Sequence, residues 1–167
     1  MSEPIKRQKI EDAINEFIED KTIKELMLDF ILWLRKNKMS PTWSAKNYWK
    51  FSYKKSKVFL IRLGKNEIII ERFWLPWTSD ECQLFISNNN LQNLVWDNMT
   101  ICGRFEDRRC GGCPPSDNFT GISLNICEKE AENICRGAIL KIVNPEYKTI
   151  EEIKKLLEYN MCYTEVK

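Results

Sequence analysis

The chain has 167 residues, 43% of them hydrophobic and 30% charged, with a formal net charge of +2 and no histidine. That length suits one domain with a sizeable core, and the near-balanced charge gives no global field of the kind that marks a nucleic-acid binder. No apolar run approaches the roughly 20 residues of a membrane span, and the opening MSEPIKRQKIED lacks the apolar core of a signal peptide.

In chain order, apolar residues at Ile10, Ala13, Ile14, Phe17 and Ile18 have helical spacing. A second helix is expected behind a Thr22/Glu25 capping box, with Ile23, Leu26, Met27, Phe30, Ile31 and Leu34 as its inner stripe and Pro41 closing the region. Glu25 and Asp29 fall on its wet face. The period then changes to two. Trp49, Phe51 and Tyr53 alternate with Tyr48, Lys50 and Ser52, and two further β-rich runs, Val58 to Leu63 and Ile68 to Phe73, follow short polar turns. The three predict an antiparallel meander. Cys82 to Ile86 reads as a fourth strand, and Asn90 to Met99 as a short helix. Ile122 to Ile126 alternates as a strand or extended arm, and Gly137 to Val143 reads as a strand broken by Asn144-Pro145. Thr149 with Glu152 makes a second capping box, opening a helix on Ile150, Ile153, Leu156 and Leu157, with a tail expected to fray after Asn160. The expected fold is one α+β domain over 1–167, an antiparallel sheet with the N-terminal helix pair and the C-terminal helix packed on it.

Inside that fold lies a Cys-rich loop, 102–135, holding five of the seven cysteines. Cys110-Gly111-Gly112-Cys113 is a CxxC whose glycines let two thiolates turn onto one ion. Zinc takes four ligands at tetrahedral corners, and without histidine a zinc here needs four thiolates or a carboxylate. Cys102, Cys110 and Cys113 supply three, and Cys127 or Cys135 the fourth. Only one CxxC is present where two would make a stronger zinc pattern. Buried cysteine also serves as a small apolar filler, which suits Cys82, Cys127 and Cys162. A redox CxxC fits less well, because Pro114-Pro115 and a polar loop follow in place of a helix. The odd cysteine count and the absent leader point to a cytoplasmic protein with reduced thiols.

Pro41-Thr42-Trp43, the run Tyr48-Trp49-Lys50-Phe51-Ser52-Tyr53 and Ile61-Arg62-Leu63 together resemble small bacterial α+β proteins of unknown function, the YdhG-like group. The second half resembles uncharacterised proteins of low-GC Gram-positive bacteria with a Cys-rich loop, a run closing on cysteine, a strand ending in Asn-Pro and a Lys/Leu-rich last helix. The matching positions are Lys129 to Cys135, Asn144-Pro145 and Lys154-Lys155-Leu156-Leu157. Ala131 stands where those proteins carry an aromatic. The resemblance implies a single α+β domain without an established activity, and favours Cys135 over Cys127 as the fourth thiol.

Three functions compete. A ligand-binding or sensor module stapled by zinc would use Trp43, Trp49, Phe73, Trp74 and Trp77 to line a pocket for a small molecule; each taken singly suits a packed core, but the run Phe73-Trp74-Leu75-Pro76-Trp77 at a strand exit is not expected to be buried throughout. A nucleic-acid binder would use the stretch from Lys46 to Lys65, with seven basic and no acidic residues, Lys50, Lys54, Lys55 and Lys57 meeting phosphates while aromatics stack on bases. The same pattern describes a solvated hairpin face. A thiol enzyme would use Cys110 or Cys113 beside Arg108 and Arg109; no nucleophile–base pair, phosphate loop or dinucleotide fingerprint accompanies it. The expectation is a binding module and not a catalyst.

Overall fold

The computed structural model describes residues 7–102, 121–135, 137 and 139–166. In chain order its elements are α1 (Ile10–Phe17), α2 (Lys21–Lys36), β1 (Ser40–Ala45), β2 (Tyr48–Tyr53), β3 (Ser56–Gly64), β4 (Glu67–Glu71), α3 (Asp80–Asn88), α4 (Gln92–Asp97), β5 (Ile122–Ile126), β6 (Lys129–Ile134), β7 (Lys141–Val143) and α5 (Tyr147–Val166). The fold is α+β, with an antiparallel five-stranded sheet ordered β1-β2-β3-β4-β7 and a separate β5-β6 hairpin. The chain divides into two compact units: one runs up to Ile70 and resumes at Ile142, the other spans Glu71–Lys141.

In the first unit, α1 buries Ile10, Ala13 and Ile14, the inner stripe its spacing requires. Helix α2 buries Met27, Phe30, Ile31 and Leu34. Its cap is Asp20, whose carboxylate accepts from the Ile23 N–H at 2.9 Å, so the helix starts before the expected Thr22. A carboxylate at that position both satisfies an orphan N–H and complements the helix dipole. The helix also ends before Pro41: Lys38 adopts φ 61° and Met39 N–H returns to Leu34 O at 2.9 Å. Pro41 instead lies in β1, an edge strand, where its missing donor is tolerated.

Trp49, Phe51 and Tyr53 all turn inward from β2, as the alternation requires. Phe51 stacks on Phe59 of β3 at 4.7 Å, and Phe59 meets Phe30 of α2 at 6.3 Å, so one aromatic column joins sheet to helix. The β3–β4 turn is tied to the α1–α2 connection: Asn66 N–H donates to Phe17 O, and its side-chain oxygen accepts from Glu19 N–H. Asn144 closes β7 by exchanging two hydrogen bonds with Ile68, at 2.7 and 2.8 Å.

Helix α5 begins at Tyr147, ahead of the expected box at Thr149, and buries Ile150, Ile153, Leu156 and Leu157. It does not fray after Asn160. The helix continues to Val166 because Glu165 accepts from Tyr53 OH at 2.6 Å and from Lys54 Nζ at 3.1 Å.

In the second unit, Cys82 to Ile86 is helical within α3, which corrects the expected strand. Ser79 Oγ caps it by accepting from Cys82 N–H, Asp80 and Glu81 fill its first turn, and Cys82 and Ile86 are buried one turn apart. Helix α4 is shorter than the expected Asn90 to Met99 and buries Leu94 and Val95. Strand β6 had no expectation from periodicity; it pairs antiparallel with β5. Among the described residues of the expected strand Gly137 to Val143, only Lys141–Val143 is regular strand.

Candidate functional site

The site that the cysteine pattern pointed to begins at Ile134. This residue is bridged antiparallel to Ile101 on one side and pairs with Ile122 of β5 on the other. Around the Ile101–Ile134 bridge, Cys102 N–H donates to Asn133 O at 2.6 Å and Cys135 N–H donates to Thr100 O at 2.7 Å. Side chains alternate across such a ladder. Cys102 and Cys135 therefore share one face, opposite to Ile101 and Ile134, as diagonal neighbours with Cα atoms roughly 7–8 Å apart.

The chain leaves this point at Cys102 and returns to it at Gly121. Gly121 has φ +108°, and a Cβ there would lie 2.6 Å from the Asn133 carbonyl carbon. Only glycine permits both the backbone angle and the approach. Asn133 itself sits at φ 59°, beside a register shift between Ile122 and Leu124. Bulges of this kind re-aim side chains at the end of a strand pair. Cys102 is buried and Cys135 half-buried. Cys110 and Cys113 lie outside the described residues, and among the described residues no three cysteine or carboxylate groups converge to hold a metal. Two neighbouring thiols are half of a tetrathiolate set. Cys127 lies at the opposite end of the hairpin: Ile122 to Ile126 alone spans about 13 Å at the usual strand rise.

That far end forms a second feature. Cys127 and Glu128 make the β5–β6 turn with φ 51° and 65°, angles that normally call for Asn-Gly. Gln83 of α3 holds the turn. Its side-chain oxygen accepts from Cys127 N–H at 2.8 Å, and its amide nitrogen donates to Trp77 O at 2.6 Å and Asn125 O at 2.9 Å. A cavity of about 520 Å³ opens here, lined by Asp80, Gln83, Leu84, Trp96, Cys127 and Lys129 among others. Lys129 Nζ lies over the Trp96 ring at 5.5 Å. The Cys127 thiol is pushed up from its ordinary pKa by burial first and by Glu128 second. It is thus protonated at neutral pH and directs its S–H to Gln83 O at 3.7 Å. The Trp96 N–H is buried and has no hydrogen-bond partner among the described residues. Sequence reasoning missed Gln83, Trp96 and Lys129 as a group. The signal would have been the helical reading of α3, which puts Gln83 one turn beyond its Ser79 cap.

The five aromatics expected to line a pocket divide between the units. Trp43 and Trp49 face each other across β1 and β2, with Trp49 buried. Phe73 and Trp77 are buried in the second unit and joined by Trp77 Nε1 donating to Phe73 O, while Trp74 is 41% exposed. Of the basic set, Lys50 lies half-buried on β2, Lys54 and Lys55 form the exposed β2–β3 turn, and Lys57 is exposed on β3. Of the aromatics interleaved with them, Trp49, Phe51 and Tyr53 are buried and Tyr48 is half-buried, and Lys54 is already paired with Glu165. Other cavities lie at the α1–α2 connection, about 480 Å³, and between α2 and α5, about 460 Å³. No helix among the described residues is long and apolar enough to cross a membrane.

No protein-family model, no curated protein and no solved structure matches this chain.

Proposed function

We propose that the protein is a cytoplasmic ligand-binding module whose second unit carries a zinc-stapled loop and, at the other end of the same hairpin, the ligand cavity. The observation that carries the zinc is the placement of Cys102 and Cys135 on one face of the Ile101–Ile134 bridge, with Cys102 and Gly121 both meeting Asn133. Cys110 and Cys113, which lie between Cys102 and Gly121 in the sequence, complete the four thiolates. Cys135 is the fourth ligand in place of Cys127, whose position beyond β5 separates it from Cys102. When bound, the zinc is structural: it supplies order to a polar segment that has few apolar side chains to bury, by an amount that can reach about 10 kcal/mol for such centres. The ligand-binding part is supported by the cavity against α3, which is of small-molecule size.

The test is metal analysis of protein purified under reducing conditions without chelator. One equivalent of zinc is expected. Cys102→Ser and Cys135→Ser should each lose it, and Cys127→Ser should retain it. Metal-free protein, or retention in the Cys135 variant with loss in the Cys127 variant, overturns the ligand set. The nucleic-acid reading is the less favoured one, because three of the four interleaved aromatics, Trp49, Phe51 and Tyr53, are buried and only Tyr48 is half-buried.

A further inference from the structure

We infer that the cavity bounded by α3, α4 and the Cys127-Glu128 turn binds a small organic ammonium ion, with the cationic nitrogen seated over Trp96. The inference rests on the ligand-binding reading and adds the chemical class. The cavity volume, about 520 Å³, falls within the range of small-molecule sites.

Its charge selects a cation. Asp80 and Glu128 contribute two carboxylates to the lining, and Lys129 a single ammonium. That ammonium is already committed, lying 5.5 Å from the centroid of Trp96. Tryptophan is the aromatic whose quadrupole attracts a cation most strongly. The chain's own lysine thus marks the position where an ammonium group is stabilised in this cavity. Lys129 is the first residue of β6 and exposed, so its flexible side chain can swing into solvent and surrender the ring to a ligand. Leu84, 61% exposed on the same lining, offers an apolar surface to the ligand's carbon skeleton. An anion would face both carboxylates and would have to draw Lys129 away from the indole.

The walls are held in shape. Gln83 ties α3 to the hairpin through two hydrogen bonds, to Asn125 O and from Cys127 N–H, with a third to Trp77 O ahead of α3, and keeps Cys127 and Glu128 in left-handed angles that cost a non-glycine residue about 1–2 kcal/mol each. Local strain of this kind, held by surrounding bonds, is a recurring feature of binding sites.

Titration of the full-length, zinc-replete protein tests the assignment. The probes are choline, its neutral carbon isostere 3,3-dimethyl-1-butanol, and acetate, read by tryptophan fluorescence and by amide shifts of Gln83, Cys127 and Lys129. Saturable choline binding is expected, with the neutral isostere weaker by roughly five- to thirtyfold, the range of one cation–π contact from exposed to desolvated. Lys129→Ala should tighten choline several-fold by removing the internal competitor. Asp80→Asn and Glu128→Gln should each weaken it without loss of fold. Equal affinity for choline and the neutral isostere overturns the ammonium assignment, as does weaker choline binding in Lys129→Ala. Acetate binding that disappears in Lys129→Ala also overturns it, yet leaves the cavity a ligand site. Absence of saturable binding for every probe, with zinc content intact, overturns the ammonium class and the cavity together while the metal reading stands.

Discussion

Glu165 shows how one side chain sets the length of a helix. Its carboxylate accepts from Tyr53 OH and pairs with Lys54, and the Tyr53 bond first, then Lys54, lower its pKa below the usual 4.5. The same bond raises the Tyr53 pKa above its usual 10.0. A carboxyl depressed on folding contributes stability above its unfolded value and loses it as pH falls through the folded one. A tyrosine raised on folding contributes below its unfolded value and loses it as pH rises through the folded one. The latch is therefore complete between about pH 4.5 and 10 and opens on either side. Amide exchange in residues 161–166 is expected to accelerate below that window, and Glu165→Gln should show the fast exchange at neutral pH while global stability barely changes, since the Glu165 and Lys54 side chains are about half exposed. Gly121 acts at the same scale. Gly121→Ala demands φ +108° of an L-residue and places a methyl 2.6 Å from backbone, so a loss of about 2 kcal/mol or more is expected in urea denaturation. An unchanged midpoint would remove the close approach to Asn133.

Among the elements, the helix starts are decided by single oxygens. Asp20 caps α2 and Ser79 caps α3, each accepting from the N–H three residues on. Asp20→Ala should cost about 1 kcal/mol, whereas Thr22→Ala, inside the first turn, should cost a few tenths at most. The reverse order in denaturant midpoints would restore the Thr22 capping box. The β5–β6 hairpin depends on a different device. Its Cys-Glu turn has neither the asparagine nor the glycine that favours such angles, and Gln83 compensates from a neighbouring helix. Gln83→Leu is expected to lower stability by about 1 kcal/mol or somewhat more, because it removes hydrogen bonds to part-buried backbone groups at Trp77 and Cys127 and to an exposed one at Asn125; circular dichroism melts of the variant check this.

For the molecule as a whole, metal and fold should be coupled. Under the zinc proposal, chelator added under reducing conditions should lower the midpoint of the unit spanning Glu71–Lys141, and added zinc should restore it, since a ligand bound only by the folded state stabilises by mass action. A melt unchanged by chelator, in protein shown to lose its zinc, would remove the structural role. What the sequence determined by itself was the part carried by local periodicity: the apolar stripes of α1, α2 and α5, the inward Trp49, Phe51 and Tyr53, and the α+β class. These follow from side-chain spacing along one element, which needs no partner to be read. Tertiary structure alone decided the rest. Cys82 to Ile86 became a helix because Ser79 and the acids after it cap that end, outweighing a short apolar run that fits either period. Cys102 and Cys135, thirty-three positions apart in the chain, share a face because Ile101 pairs with Ile134. The cavity at Trp96 and Lys129 exists because Gln83 bonds a turn forty-four residues away. Pairings over such separations are set by hydrogen-bond geometry and burial across elements, which no local pattern encodes.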